Sequence, residues 1–194
     1  MRDDRAVSRI VAGKAGGRRL RVPKKGTRPT TERVREALFS ILEVDGELDG
    51  ARVLDLYAGS GGLGLEALSR GAADVLFVEG DRDAAEVLRG NIAEVALGGT
   101  VRRRGVLELL RAGTSDPVDL VLADPPYALA EDELADVLAA LVSGGWVTEG
   151  GLVVVERYRR SGAPRWPDYF TVLRGRRYGE NVLHRAEYRS AGQE

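Results

Sequence analysis

The sequence predicts an α/β fold: a mainly parallel, doubly wound sheet with helices on both faces, an antiparallel C-terminal strand pair at one edge, and a small N-terminal β-hairpin. Three observations predict it. From Ala51 to Glu156 short β-branched runs alternate with helical stretches, as βαβ winding requires. Between the first such run and its helix stands Gly59-Ser60-Gly61-Gly62-Leu63-Gly64, the pattern G-x-G-x-x-G. A later run, Val118 to Ala123, ends in Asp124-Pro125-Pro126-Tyr127. No strand continues through that corner, because each proline locks φ and lacks an N–H.

The elements follow in order. Ser8 to Ala12 and Arg18 to Val22 alternate basic and apolar residues about a Gly13–Gly17 turn, as a hairpin does. Arg9, Arg19 and Arg21 fall on one face; Ile10, Leu20 and Val22 fall on the other. Two strands alone are marginal, so the hairpin must dock on the body or on a partner. Pro23 to Pro29 is a basic connector, and Thr30 or Thr31 caps a helix reaching about Glu43, with Val34, Leu38, Ile41 and Leu42 on one face. Strands are expected at 52–57, 74–79, 100–104, 118–123 and 152–156, and helices at 63–69, 83–95 and 131–141, with a short helix after the third strand. Residues 169–177 and 181–189 flank Tyr178-Gly179-Glu180 and read as the antiparallel pair. The predicted division is a basic extension, 1–29, ahead of a domain spanning 30–194.

Composition narrows the function. A chain of 194 residues, 43% of them hydrophobic, buries one good core. The absence of cysteine excludes disulfides and thiolate metal sites, and the single histidine, His184, leaves little scope for a zinc site or a histidine triad. No apolar run approaches a membrane span, so a soluble cytoplasmic protein is expected. The formal charge of −1 hides a segregation: residues 1–35 carry a net +9, residues 36–156 a net −15, and residues 157–194 a net +5. A basic head and tail around an acidic middle suit a polyanionic partner.

Glycines in a strand-to-helix loop let the backbone pass close to a nucleotide, and the helix start offers free N–H groups. Glu79 stands 20 residues after Gly59 at the end of the second strand, where a carboxylate accepts ribose hydroxyls. These features fit a nicotinamide dinucleotide and S-adenosylmethionine (SAM) equally. Asp55, inside the first strand, separates them. It would repel a pyrophosphate but suits the cationic amino-acid end of SAM, and no basic residue lies in 53–69. The plainer alternative is a carboxylate that bonds the loop amides. The Asp124 corner offers a carboxylate, bare carbonyls and an aromatic ring, which suits gripping a planar amino group.

Residues 55–71, Asp-Leu-Tyr-Ala-Gly-Ser-Gly-Gly-Leu-Gly-Leu-Glu-Ala-Leu-Ser-Arg-Gly, closely resemble the SAM loop of the RsmD-type bacterial 16S ribosomal RNA guanine-N2 methyltransferases, which have a Rossmann-like class I fold. So do Arg28-Pro29-Thr30-Thr31-Glu32-Arg33-Val34-Arg35-Glu36-Ala37-Leu38-Phe39, Ile10-Val11-Ala12-Gly13-Lys14, Gly17-Arg18-Arg19-Leu20 and the Asp124–Tyr127 motif. The resemblance implies that Asp55, Tyr57, Ala58, Gly59, Ser60, Gly61, Gly64 and Glu79 hold SAM, leaving S-adenosylhomocysteine as product and needing no metal. It implies that Asp124 and the Pro125 carbonyl grip the guanine amino group, that Pro126 stiffens the corner, and that Tyr127 stacks on a flipped base. Arg9, Lys14, Arg18, Arg19, Arg28 and Arg33 are the expected RNA contacts, and deletion of residues 1–22 is expected to spare the fold. The chain departs from the family at Gly80, where a larger apolar residue is usual, and at Gly105-Val106, where Asp or Asn is usual. Backbone amides with Gly80 and Val106 are then expected to hold the adenine, and free SAM to bind weakly. The implied partner is 16S rRNA or the small ribosomal subunit, met by a monomer. The rivals are an adenine-N6 methyltransferase acting on DNA or other RNA, and a non-catalytic RNA-binding module.

Overall fold

The computed structural model describes residues 8–23 and 31–190. After strands β1 (Ser8–Arg9) and β2 (Arg19–Leu20) comes helix α1 (Glu32–Val44), capped by the Thr31 hydroxyl, which accepts from the Val34 N–H. The body then runs β3 (Arg52–Leu56), α2 (Gly62–Ser69), β4 (Asp74–Val78), α3 (Arg82–Val95), β5 (Thr100–Arg102), α4 (Val106–Arg111), β6 (Val118–Ala123), α5 (Glu131–Ser143), β7 (Val147–Tyr158), β8 (Phe170–Tyr178) and β9 (Asn181–Tyr188). Seven strands form one sheet in the order β5-β4-β3-β6-β7-β9-β8. It is parallel from β5 to β7, and β9 and β8 add antiparallel.

Successive strand residues alternate between faces, and this divides the core in two. Val53, Leu120, Leu122 and Val154 pack towards the hairpin, α1, α2 and α3. Leu54, Leu56, Val121, Ala123, Val153 and Val155 pack towards α4 and α5. From β3 the chain winds outward through β4 and β5, then returns to lay β6 on the other side of β3. A crevice opens at the carboxyl ends of strands where winding reverses. Here that reversal lies between β3 and β6.

Two of the differences from the expected boundaries have a local cause. The third strand stops at Arg102 rather than Arg104, because Gly105 already caps α4. The β7 strand begins at Val147, five residues before the predicted Leu152. Its pairing with β6 slips between Val118↔Val147 and Leu120↔Leu152, and the extra residues include Gly150 at φ +77°. Glycines that read as a loop in sequence are an irregularity inside a continuous strand.

The hairpin strands are two residues each, not five. Beyond Ile10 several backbone donors turn to the body. The Val11 and Ala12 N–H groups donate to the Glu66 carboxylate at 2.7 and 3.0 Å, and the Arg21 N–H donates to Asn91 Oδ1 at 2.9 Å. The Lys14 N–H donates to the Ser69 carbonyl at 2.7 Å and the Ala15 N–H to Ser69 Oγ at 2.9 Å. Gly13, at φ +81°, lies so close that a Cβ would sit 2.0 Å from the Ser69 carbonyl oxygen. The predicted alternation holds: Arg9, Arg19 and Arg21 are exposed, while Ile10, Leu20 and Ala15 belong to the main core. Removing residues 1–22 would therefore strip part of that core and leave Glu66, fully buried, without its two amide donors. Glu66→Ala is expected to lower stability by about 3 kcal/mol, since it leaves the two hairpin amides and the Arg70 Nε without an acceptor, while Arg70 Nη1 keeps Glu43; urea unfolding of variant and parent measures this.

Candidate active site

The β3–α2 loop is built from backbone strain and absent side chains. Tyr57, the residue after β3, sits at φ +60°, a left-handed conformation rare outside glycine, and so turns the chain sharply over the start of α2. Gly61 caps α2 at φ +86°. A Cβ on Gly64 would lie 2.3 Å from Phe77 and 2.9 Å from Asp55 Oδ2, so only glycine lets α2 settle this close to β3 and β4. The result is a hydrogen bond of 2.9 Å from the Gly64 N–H to Asp55 Oδ2.

Asp55 is 1% exposed, and its other oxygen, Oδ1, has no partner. One oxygen bonds a loop amide, as the plainer reading expects, while the other has no partner and the residue lines a cavity. Burial pushes its carboxyl up to about 8, with the charges of Asp124 and Glu79 adding to the rise. Glu79 accepts the Gly59 N–H through one oxygen and the Asp81 N–H through the other, both at 2.8 Å. Each carboxylate oxygen keeps a further lone pair. Burial also pushes the Tyr57 phenol up to about 12, so it stays protonated.

These groups surround a cavity of about 420 Å³, within the usual size for small-molecule sites. Of the predicted residues, Asp55, Tyr57, Ala58, Gly59, Ser60, Glu79, Asp124 and Pro126 line it. The others lie nearby in different roles. Gly61 would press a Cβ on Leu88 and Leu65, and Gly64 on Phe77. Pro125 is buried and Gly80 is exposed past the end of β4. Val106 is buried in the core under α4, not at the cavity wall. Tyr127 is 51% exposed and meets Tyr158 edge to face at 5.7 Å.

Sequence reasoning missed Ser8, Val22, Pro23, Arg35, Asp81 and Ala84, which also line the cavity. Arg35 matters most. It is 1% exposed and donates to the Gly62 carbonyl, Ser8 Oγ and the Arg9 carbonyl at 3.3, 3.0 and 2.6 Å, while its Nε has no partner. So the cation absent from 53–69 arrives from α1. Its spacing with Leu38 and Leu42 put it on the apolar face of that helix, and this was the available signal. Among the described lining residues it is the one cation against Asp55, Glu79, Asp81 and Asp124.

Of the expected RNA contacts, Arg9 is paired with Glu32 at 2.8 Å. Arg18 donates to the Glu94 carbonyl at the end of α3 at 2.8 Å. Lys14, Arg19 and Arg33 are exposed, and Arg28 lies outside the described residues. Among the described residues no helix is long and apolar enough to cross a membrane, and no cluster of three or more His, Cys, Asp or Glu is placed to hold a metal.

The family model described as conserved hypothetical protein 95 matches residues 8–187. A relative in Escherichia coli, the ribosomal RNA small subunit methyltransferase D, is 37% identical over 186 residues, covering 94% of this chain and 90% of that protein. The chain belongs to the RsmD-type methyltransferase family. The Haemophilus influenzae member is 36% identical across 76% of this chain and 77% of its own length. The solved Escherichia coli methyltransferase yhhF superposes with a TM-score of 0.82 at 35% identity, covering 94% of this chain and 98% of that one. Like its family, the chain is a SAM-dependent methyltransferase. The cavity fits that cofactor: a strongly acidic wall suits its sulfonium and ammonium charges, and the buried Asp55 Oδ1 has no partner within the protein.

The raised Asp55 carboxyl sets a pH dependence. In the unfolded chain it loses its proton near 3.8, and in the fold near 8. Its contribution to stability is thus complete below the first value and lost as pH rises through the second. Urea unfolding of the ligand-free protein at pH 5 and pH 8 should show stability falling more steeply in the parent than in Asp55→Asn.

Proposed function

We propose that this chain transfers a methyl group from SAM to the exocyclic N2 amino group of a guanine in 16S ribosomal RNA of the small subunit. The observation that carries the reading is that Asp124 and Pro126 open on the same cavity as the unpartnered oxygen of Asp55. The small-subunit ribosomal RNA named for the Escherichia coli relative supports the substrate. When bound, SAM supplies an electrophilic methyl group on a sulfonium.

The chain's own residues do the rest. Asp55 Oδ1 would accept from the ammonium of the cofactor, whose charge would draw the carboxyl into its ionised form. Arg35 would hold the carboxylate of the same amino-acid end. Glu79 would accept the ribose hydroxyls on its spare lone pairs, with the Ala58–Gly61 backbone holding the nucleoside. Asp124 and the Pro125 carbonyl accept the two N–H groups of the guanine amine, which turns its lone pair towards the cavity. Pro125 and Pro126 hold that corner stiff, so positioning is done before the base arrives. Tyr127 stacks on the flipped base, its ring steadied by Tyr158. Lys14 and Arg19 of the hairpin, with Arg33 on α1, are the exposed cations that contact the RNA, and the protein works as a cytoplasmic monomer.

Incubation with labelled SAM and undermethylated small subunits, followed by nucleoside analysis, should yield N2-methylguanosine; N6-methyladenosine would favour the adenine-directed reading instead. Asp124→Ala should lower kcat by about 10²–10³-fold, the scale of removing one oriented polar group at a reacting centre. Tyr127→Ala should lower kcat/KM by about tenfold or more, as loss of one stacking partner does. The Arg35 role has a binding readout. Arg35→Met should weaken SAM about tenfold or more, the worth of a charged hydrogen bond, yet leave 5′-methylthioadenosine, which lacks the amino-acid end, unchanged. Equal losses for both ligands would show only a collapsed wall.

A further inference from the structure

We infer that the carboxyl-end rim of the C-terminal strands, carrying Arg160, Arg176 and Arg177, is a second RNA-contact surface, which holds the phosphates flanking the target nucleotide. This rests on RNA being the substrate. The topology is what gathers these residues. The β7 strand runs parallel to β6, so Tyr158 ends on the same rim as Asp124. Tyr158 pairs with Asn181 at the start of β9, and Asn181 pairs with Tyr178 at the end of β8. With neighbouring strands about 4.8 Å apart, Tyr178 stands roughly 10 Å across the sheet from Tyr158. Arg177 and Arg176 precede it, and Arg160 follows Tyr158 on the other side.

A physical chain links this rim to the catalytic corner. Tyr127 meets Tyr158 at 5.7 Å, and the Arg160 guanidinium lies 6.0 Å over the Tyr158 ring. The nearby acids are already engaged elsewhere: Glu131 with Arg157, Asp132 with Arg165, and Glu180 with Arg159 at 4.0 Å. Arg160, Arg176 and Arg177 are exposed, and none has an ion pair among the described residues.

Cations on an edge strand also discourage pairing with another chain. That role alone would spread them along β8. Instead Arg174, Arg176 and Arg177 crowd the half nearest the site, while the far half presents Thr171 and a 61% exposed Val172. One extra β8 residue is inserted between the pairs Leu173↔Arg185 and Arg176↔Leu183. A bulge of that kind adds twist and re-aims the side chains after it. The cavity wall and the middle of the chain are acidic, so an RNA strand delivering its base to Asp124 needs cations beside the site, and this rim supplies them.

The test uses the full chain with undermethylated small subunits and a single-stranded oligoribonucleotide. Arg176→Ala/Arg177→Ala should raise KM for the subunits about tenfold near 0.1 M salt, with kcat and SAM affinity held. The slope of log affinity against log salt for the oligoribonucleotide should fall by roughly 0.7 per arginine removed. Arg160→Ala should act in the same direction. Arg189→Ala serves as control: it lies on the same hairpin at the opposite rim, paired with Glu187, and should change neither quantity. If the rim variants match Arg189→Ala in KM and salt slope while the parent methylates RNA, this surface is wrong and the proposed function stands. If the parent methylates no RNA at all, the substrate reading falls, and this one with it.

Discussion

One hydrogen bond at the reversal of the sheet governs the site: the Gly64 N–H donating to Asp55 Oδ2 at 2.9 Å. It joins the first body strand to the helix after it, and it exists only because Gly64 has no side chain to hold Phe77 and Val75 apart from α2. A carboxylate 1% exposed would be intolerable if fully ionised and unmatched. The fold meets this by keeping the proton on Asp55 up to about pH 8 and by leaving Oδ1 where a cation can reach it. The same residue is thus a structural joint through one oxygen, while its other oxygen has no partner within the protein.

The hairpin shows the same economy of polar groups. Glu66 is fully buried in α2, yet it is satisfied by two hairpin amides and by Arg70. Asn91 ties Arg21 to Ser60 through its amide, with contacts of 2.8 to 2.9 Å. Arg35 binds the hairpin and the glycine loop together. Three buried polar side chains, each on a different helix, therefore connect the basic N-terminal segment to the walls of the cavity. What reads along the chain as an appendage supplies, through Ser8, Val22 and Pro23, part of the wall of the cavity.

Charge follows a comparable division of labour. Many cations of the basic head serve the fold: Arg9 is paired with Glu32, Arg18 with the last carbonyls of α3, and Arg21 with Glu94. Such exposed pairs add little stability, but they fix the hairpin's orientation. The tail is mixed: Arg157, Arg159, Arg165, Arg185 and Arg189 are paired, while the exposed Arg160, Arg174, Arg176 and Arg177 form no ion pair among the described residues. Net charge by segment, +9, −15 and +5, was visible in the sequence; which of those charges remain available to a partner was not.

The sequence by itself determined the order of elements, the parallel sheet, the glycine loop and the Asp124 corner, because each depends on neighbours a few residues away. Proline geometry, glycine freedom and the alternation of apolar residues are local physics. Arg35, Glu66 and Asn91 escaped that reading as site or strap residues, although an arginine on the apolar face of α1 and an acid in an apolar helix were each a signal. Their meaning depends on which distant carbonyl or amide lies opposite, and only the closed fold decides that. Val106 and Gly80 were named from their place in the order of motifs, and neither lines the cavity: the turn into α4 buries one in the core, and the other lies exposed past the end of β4.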